Sequence, residues 1–195
     1  MLIVDIIGTI DDLVNLLEEQ NKVLNKIGDL YYQKNNLREV PIKKMKIKYG
    51  DSIPSKKRVT GSYHLFGSNG LIDEINTFNV KNPLVYFGCR GSIGHVGFAT
   101  TPSFILNTAL YVESREDYGN LYFAFKSFNG FSSRKSGTSQ PQITLEDIND
   151  INVKLPTTKF LNNICDLISL NTNKMQYLKK YKSRILNLLL TNLIV

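Results

Sequence analysis

The chain has 195 residues, of which 42% are hydrophobic and 21% are charged, and its formal net charge at pH 7 is +7. This length allows one domain of about 120 residues with helical extensions, and it excludes two full enzyme domains. An excess of lysine and arginine attracts polyanions, although charge alone does not choose among DNA, RNA and an anionic membrane surface.

The first predicted element is a long amphipathic helix within residues 1–36. Thr9–Asp12 has the pattern of a helix start, in which a threonine caps the first turn and an acidic residue follows three positions later. Apolar residues then recur in alternating steps of three and four, which is the spacing of a coiled-coil seam. The predicted seam comprises Ile10, Leu13, Leu17, Gln20, Leu24, Ile27 and Tyr31. A plain amphipathic helix that packs on its own domain is the alternative.

The middle region contains short strands and tight turns. Gly67–Gly70 is typical of a turn, and Leu84–Phe87 predicts a short buried strand. The apolar stretches 104–112 and 121–125 predict two further strands, because they are rich in aromatic and branched residues. The glycines at 88, 91, 94 and 97 indicate that the backbone between the strands bends sharply or approaches another group closely.

The same region ends with a short helix and a strand. Thr144–Asp147 predicts a capped helix start, and Ile151, Val153 and Leu155 alternate with polar residues as a closing strand before Pro156. We therefore predict a mixed α/β (α+β) fold with one globular, strand-rich domain over residues 37–157. A helix over 1–36 and a second helix over 158–195 flank this domain.

The second long helix repeats the design of the first. A shift of 161 positions aligns the two without a gap, with identities at Ile3/Ile164, Asp5/Asp166, Ile7/Ile168 and Leu17/Leu178. The predicted seam of the second helix comprises Ile164, Ile168, Asn171, Met175, Leu178, Lys182, Ile185 and Leu189. Residues 1–36 are net acidic and residues 158–195 are net basic, so the two helices are suited to pair. Two similar helices around one domain are expected in a fragment of a pseudo-symmetric assembly.

Cysteine usage and apolar runs indicate the compartment. Cys89 and Cys165 give no disulfide framework and favour a reducing environment. No basic region precedes the short apolar run Leu2–Ile7, so we expect no signal peptide. The apolar stretch Ile185–Val195 is interrupted by asparagines and is too short to cross a bilayer. We therefore expect a cytoplasmic location.

Catalytic and metal-binding motifs are not recognisable in the sequence. The histidines His64 and His95 and the two cysteines fit none of the usual metal-ligand spacings, and Cys89 with His95 is a weak nucleophile–base pattern. The glycines form neither a dinucleotide fingerprint nor a phosphate-binding loop. The Asn/Asp-Pro-Pro-aromatic motif of DNA amino-methyltransferases and the spaced acids of nucleases are also missing from the sequence. We predict no cofactor, no metal and no catalytic activity.

Binding chemistry is better represented. Basic residues lie beside Gly/Ser-rich turns, where a side chain and free backbone N–H groups can meet phosphate together, and nearby amides and hydroxyls could reach base edges. The DNA-binding candidates are Lys56, Lys57, Arg58, Ser68, Asn69, Arg90, Ser92, Arg134, Lys135, Gln140 and Gln142. Solvated surface charge and plain hairpin geometry are the alternative interpretations. Gly67–Gly70 and Gly91–Gly94 fit the Gly-x-x-Gly loop of KH domains poorly, because that loop joins helices and these turns join predicted strands.

Three segments form an ordered set of motifs: FGSNGLI at 66–72, GCRGSIGHV at 88–96, and SGTSQPQITL at 136–145, which runs on to Leu155-Pro156. Together with the helix Thr9–Lys22, they resemble the target recognition domain and helical spacer of Type I restriction–modification specificity subunits. The resemblance covers nearly the whole chain. It implies two recognition domains held apart by an antiparallel coiled coil of helices, each domain reading one half of a split DNA site.

The resemblance also implies partners. Methylation subunits dock on the helices, restriction subunits join afterwards, and the complex methylates adenine. This chain carries one recognition domain, so it resembles a half-subunit, and we expect it to form a homodimer or to pair with a different half-subunit. We expect double-stranded DNA as a further partner and no membrane. The residues expected to mediate oligomerisation are Leu13, Leu17, Leu24, Ile27, Ile168, Met175, Leu178, Ile185 and Leu189.

Motifs that the family shares cannot choose the bases, because its members read different DNA sequences. We therefore predict scaffold and phosphate contacts at Gly67–Gly70, Arg90–Gly94 and 136–142, and base choice around Lys56–His64, Asp73–Asn82 and 128–135. A seam of about 25–30 residues would separate two half-sites by roughly 12 base pairs. The alternatives are a helical adaptor whose central domain binds RNA or protein, and a catalytic DNA methyltransferase or nuclease subunit with unrecognised motifs.

Overall fold

A computed structural model shows a strand-rich domain carried between two long helices, and it describes residues 2–128, 130–134, 136 and 141–192. The helices are α1 Leu2–Lys34, α2 Tyr118–Ser127, α3 Leu145–Ile148 and α4 Phe160–Asn192. The strands are β1 Leu37–Pro41, β2 Lys48–Tyr49, β3 Thr60–Gly67, β4 Gly70–Ile75, β5 Leu84–Gly88, β6 Val96–Ala99, β7 Ser103–Ile105, β8 Ala109–Glu113 and β9 Asn152–Pro156. The predicted fold class is confirmed.

The start of α1 differs from the prediction. The helix already includes Leu2, so the predicted N-terminal cap at Thr9 is wrong. The Thr9 hydroxyl donates a hydrogen bond to the carbonyl oxygen of Asp5 (2.8 Å), one turn earlier in the same helix. A threonine in a helix can satisfy its hydroxyl in this way without capping. Asp5 lies in the first turn, where the helix dipole favours a carboxylate.

The two long helices pack against each other as an antiparallel pair. Near one end Lys182 Nζ donates to Asp11 (2.6 Å), and near the other the Tyr31 and Phe160 rings lie 4.5 Å apart. The predicted α4 seam is confirmed, with its first three residues buried and the others half-buried. Neither helix, over its described residues, holds a stretch long and apolar enough to cross a membrane.

The α1 seam is shifted from the prediction at three positions. Leu13 is 44% exposed whereas Val14 is 6% exposed, and Ile27 is exposed beside the buried Gly28. Gln20 is likewise exposed, and its half-buried neighbour Asn21 occupies the seam instead. The observed seam is Ile10, Val14, Leu17, Asn21, Leu24 and Gly28. After Ile10 a step of three and a step of four both reach an apolar residue, so spacing alone did not fix the register.

The domain is built around a four-stranded antiparallel sheet in the order β2-β8-β5-β6. The central strand β5 is buried throughout: Val85 and Phe87 face the main core with α2 and α4, while Tyr86 faces a second core on the other side. A second sheet has the order β4-β3-β7, with β3 and β7 parallel. The β1–β9 ribbon pairs Leu37 with Pro156 and so holds the end of α1 beside the start of α4.

The predicted elements of the domain are confirmed in part. Leu84–Phe87 is a buried strand, Thr144 caps α3 in a capping box, and β9 closes the domain. The stretch 104–112 contains two strands, β7 and β8, with a turn between them. The strand prediction for 121–125 is wrong because these residues lie in α2. An apolar run that is buried on nearly all sides has no polar positions to reveal its period.

Candidate nucleic-acid interface

Three turns meet at the ends of neighbouring strands, and we call them the turn cluster. They are Ser68–Asn69 between β3 and β4, Cys89–His95 between β5 and β6, and Asn107–Thr108 between β7 and β8. Thr108 joins them. Its carbonyl oxygen accepts hydrogen bonds from the backbone N–H groups of Cys89 (2.9 Å) and Arg90 (3.2 Å), and its hydroxyl accepts from the N–H of Ser68 (3.2 Å).

The turns approach each other closely because glycine occupies the contact points. A Cβ on Gly88 would lie 2.1 Å from the carbonyl oxygen of Ser92 and 2.7 Å from that of Ser68. Gly91 and Gly94 adopt φ values of +71° and +83°, a left-handed conformation that other residues rarely tolerate. The sequence-based prediction of a sharply bent, closely packed backbone is confirmed at these positions.

Arg90 is the charged residue of the turn cluster. It is exposed, and its Nε donates a hydrogen bond to Gln142 Oε1 (3.1 Å). The backbone beside it is fixed as well, because the N–H of Ile143 donates to the carbonyl oxygen of Cys89 (2.9 Å). Among the described residues, no acceptor bonds the terminal nitrogens of Arg90. A guanidinium held at Nε with a free outer edge is well suited to an anionic oxygen such as phosphate.

The structure brings together five of the eleven residues predicted to bind DNA: Ser68, Asn69, Arg90, Ser92 and Gln142. Lys135 and Gln140 lie outside the described residues. Arg134 forms an ion pair with Asp150 and donates to the carbonyl oxygen of Asp147 (3.3 Å).

The basic turn before β3 is separate from the turn cluster. Lys56 and Lys57 are exposed on a short 3-10 turn, and the Arg58 guanidinium donates to the carbonyl oxygen of Ile53 (3.3 Å). Arg58 is thus engaged within the domain, whereas the two lysines point to solvent. All three residues were predicted to bind DNA as one group.

A second basic segment was missed in the sequence. In residues 42–48 Ile42 is buried and its apolar neighbours pack on the main core, whereas Lys43, Lys44 and Lys46 are exposed. Lys48 lies 3.7 Å from Glu113. The signal was present as an alternation of lysine with apolar residues, which is typical of a segment that lies along the domain surface.

Cys89 lies inside the turn cluster but is not suited to act as a nucleophile. Its side chain is fully buried, with Sγ 3.9 Å from the carbonyl oxygen of Asn107. Burial raises the pKa of the Cys89 thiol, which disfavours the reactive thiolate. Burial also lowers the pKa of His95, and no hydrogen bond joins the two side chains in the described part of the chain.

Comparison with known proteins identifies the family. Residues 7–180 match the family model described as the Type I restriction modification DNA specificity domain. The chain therefore belongs to the family of Type I restriction–modification DNA specificity domains. Comparison with curated proteins gave no significant match.

Solved structures show the same fold. The chain is similar to the S subunit of a Type I restriction-modification system from M. genitalium, with 17% identity and a TM-score of 0.66 over 95% of this chain and 57% of that one. It is also similar to the HsdS subunit from Thermoanaerobacter tengcongensis, with 14% identity and a TM-score of 0.50 over 95% and 53% of the two chains. The chain thus spans just over half the length of these structures.

Proposed function

We propose that the chain is a DNA-sequence specificity module of a Type I restriction–modification complex. In this proposal residues 37–157 read one half of a split DNA site. The turn cluster carries the proposal, because it combines the anchored Arg90 with exposed, glycine-shaped turns on one surface. Membership of the specificity-domain family supports DNA as the polyanion. Adenine methylation and restriction are then the work of partner subunits in the cytoplasm, and this chain contributes recognition without catalysis.

The proposed contacts fall into two classes. Arg90, Ser68 and Ser92 belong to turns that the family motifs share, so we assign them to phosphate contact and scaffold. The lysines at 56 and 57 lie in the region to which we assign base choice, and the lysines at 43, 44 and 46 extend the basic surface. Phosphate contacts set affinity and register, whereas base-edge contacts set the preferred sequence.

The symmetry of the helix pair supports a second recognition domain. Asp11 contacts Lys182, and Asn21 contacts Thr172 (3.4 Å). The 161-residue shift makes Asp11 equivalent to Thr172 and Asn21 equivalent to Lys182, so the two contacts are equivalent to each other. The helix pair is therefore nearly unchanged when its two helices are exchanged. An approximate twofold axis therefore passes through its middle. The domain occupies the end where α1 stops and α4 starts, and the axis relates that end to the opposite one.

We infer that a second half-subunit, identical or different, supplies a domain at the opposite end. Each helix has 33 residues, which is about 50 Å at ~1.5 Å per residue, or roughly 15 base pairs at ~3.4 Å each. This is slightly longer than the spacing expected from the sequence. Two identical copies would require inverted, identical half-sites, and two different half-subunits would give an asymmetric site.

The outer faces of the helices support assembly with other subunits. Each helix carries a second, exposed apolar stripe that lies beside the seam. On α1 it comprises Leu13, Leu16, Val23, Ile27 and Leu30, and on α4 it comprises Leu167, Leu170, Tyr177, Tyr181 and Leu188. An apolar groove of about 550 Å³ runs between the stripes beside Leu16 and Tyr177, which the 161-residue shift pairs. Exposed apolar surface of this extent is typical of a protein-binding face.

A salt series tests the proposed function. The full chain is titrated with random-sequence duplex DNA, and with double-stranded RNA of the same length as the matched control. With about four to six phosphate contacts, affinity for DNA should fall roughly 100- to 2,000-fold between 50 and 200 mM salt. A chain that binds RNA as tightly as DNA, or that binds neither, contradicts the proposal.

Sedimentation tests the proposed assembly. Self-association of the chain alone, or a stable complex with a methylation subunit, should appear at tens of micromolar. Replacing Leu16 and Val23 with serine should weaken that association while the fold is retained, because both side chains are more than half exposed. A monomer under both conditions would contradict assembly through the outer stripes.

A further inference from the structure

A groove of about 420 Å³ separates the domain from α4. Its domain wall includes the rings of Phe66, Tyr86 and His95, and its helix wall includes Asn173 and Gln176. Grooves of this size that combine aromatic walls with a few polar groups are typical of small-molecule and cofactor sites. The recognition role proposed above assigns nothing to this groove.

The Tyr86 hydroxyl is the first sign of a ligand. Tyr86 is 3% exposed, and its hydroxyl has no hydrogen-bond partner among the described residues although it lines the groove. Gly97 lies against it in the register of β5 and β6, and a Cβ there would lie 2.4 Å from the hydroxyl oxygen. The glycine therefore lets the tyrosine reach the groove. The hydroxyl is open to the groove, where a ligand can take the place of water as its hydrogen-bond partner.

The wall around this hydroxyl is aromatic. The ring of Tyr86 lies 5.2 Å from that of Phe66 and 6.4 Å from that of His95, and His64 lies 5.8 Å from Phe66. Burial lowers the pKa of His95, which favours the neutral imidazole. The Phe66, Tyr86 and His95 rings thus form a surface on which a planar ring can pack.

The opposite wall supplies hydrogen bonds without charge. The side-chain amides of Asn173 and Gln176 have no hydrogen-bond partner within the described ranges, and each offers both donors and an acceptor. Nearby charges are already compensated, because Lys180 pairs with Glu74 at the adjoining end of the groove. These features fit a planar, neutral ligand with hydrogen-bonding groups along its edge.

The groove opens next to the turn cluster. Gly70 ends the Ser68–Asn69 turn, and a Cβ on Gly70 would lie 3.8 Å from His95 Nε2 and 4.0 Å from the Tyr86 hydroxyl. His95 itself ends the neighbouring turn of the cluster. DNA whose backbone contacts the turn cluster would therefore have its nearest nucleotide at the mouth of the groove.

We propose that this groove binds a nucleobase that has left the stack of the duplex. The base packs on the Phe66–Tyr86–His95 wall, and the Tyr86 hydroxyl and the helix amides bond its edge. An extruded base exposes both a π-face and its Watson–Crick edge, whereas a stacked base exposes neither to a concave site. The inference rests on the proposed function for its DNA source. A free nucleotide would offer the same chemistry, so the experiment separates the two.

Histidine NMR tests the groove directly. The chain has two histidines, His64 and His95, and both line the groove, so two ring signals report its occupancy. The full chain is titrated with each of the four deoxynucleoside monophosphates, and with inorganic phosphate as the control. At least one nucleotide should shift both signals saturably, and phosphate should shift neither. No saturable shift with any nucleotide would overturn the groove as a base site.

Variants make the assignment specific. Tyr86→Phe should weaken nucleotide binding about three- to tenfold, as expected for one lost hydrogen bond. Gln176→Ala should have a similar effect, and it removes a half-buried side chain that has no hydrogen-bond partner among the described residues, so folding is not at risk. Tyr49→Phe, at an exposed tyrosine on β2, is the matched control and should change nothing. Equal affinities for all four proteins would overturn the roles of Tyr86 and Gln176.

Duplexes that carry 2-aminopurine at successive positions identify the source of the base. Fluorescence should rise at one position when the full chain binds, and Tyr86→Phe should reduce that rise. If free nucleotides bind but every position in a bound duplex stays quenched, the extruded base is refuted. If duplex DNA binds with no brightening and no histidine shift, the groove proposal fails while DNA recognition stands. If duplexes do not bind but nucleotides shift the histidines, the proposed function and the DNA source both fail.

Discussion

Replacing Gly28 with alanine tests how the domain is attached to the helix pair. Gly28 lies in the observed seam of α1, where the 161-residue repeat places Leu189 of α4. On α1 this position faces α2: a Cβ on Gly28 would lie 2.0 Å from Cζ and 2.4 Å from Cε1 of Phe123. Phe123 is 1% exposed and packs at 4.9 Å from the Tyr122 ring, so it has little room to move.

Two effects of opposite sign compete at this position. Helix propensity alone would make Gly28→Ala stabilising by about 1 kcal/mol. Overpacking of a buried ring costs about 1–3 kcal/mol, and a contact this short places the cost at the upper end. We therefore expect a net loss of about 2 kcal/mol in the free energy of unfolding.

Gly8→Ala is the matched control, because it lies in the same helix and no atom of the described residues lies within 4 Å of its Cβ position. It should stabilise the chain by about 1 kcal/mol. Urea unfolding followed by circular dichroism measures both variants. Adding Phe123→Leu should relieve the clash and turn Gly28→Ala from destabilising to neutral or better. If Gly28→Ala stabilises as much as Gly8→Ala, α2 does not pack on α1 at this point.

The remaining predictions concern DNA binding, thiol reactivity and the dependence of the half-site spacing on helix length. Arg90→Ala should weaken binding to preferred and unrelated duplexes by similar factors and reduce the salt slope by about one, and a changed base preference would contradict a phosphate contact. Burial raises the thiol pKa of both Cys89 and Cys165, so a disulfide reagent at pH 8 should modify neither in the folded chain and both in urea. Fast modification of the folded chain would show that the cores around them open. Deleting one heptad from each helix should shorten the gap between half-sites by about three base pairs without altering either half-site.

Sequence periodicity predicted one helix of the pair better than the other. The α4 seam is confirmed because the alternative to Met175 is Lys174 and the alternative to Leu178 is Lys179, so only one register is apolar there. On α1 apolar residues occupy two stripes, so stepping from Ile10 to Leu13 was as plausible as stepping to Val14. The 161-residue repeat would have resolved the choice, since it maps Val14 onto Met175 and Leu13 onto the exposed Lys174.

The parts of the candidate site that lie within one short segment of sequence were predicted. Arg90 and the turn at Ser68 are recognisable because glycines punctuate short segments of sequence. Thr108 was missed, since it lies in a run that reads as continuous strand, although its two oxygens hold the turn cluster together. The groove at Tyr86 was missed for a different reason. Its walls come from four strands (β3, β4, β5 and β6) and from α2 and α4, and no spacing in the sequence indicates that these elements converge.

Selection from a random duplex library tests whether this domain reads one half of a split DNA site. The full chain, with a methylation subunit and the partner half-subunit if one is required, is bound to random duplexes, and the retained molecules are sequenced. We predict a site in two parts, with a short preferred sequence on each side of an unspecified gap of about 12–15 base pairs. Retained duplexes with no shared sequence, or with one contiguous motif, would contradict the proposal that this domain reads half of a split site and that the helix pair sets the gap.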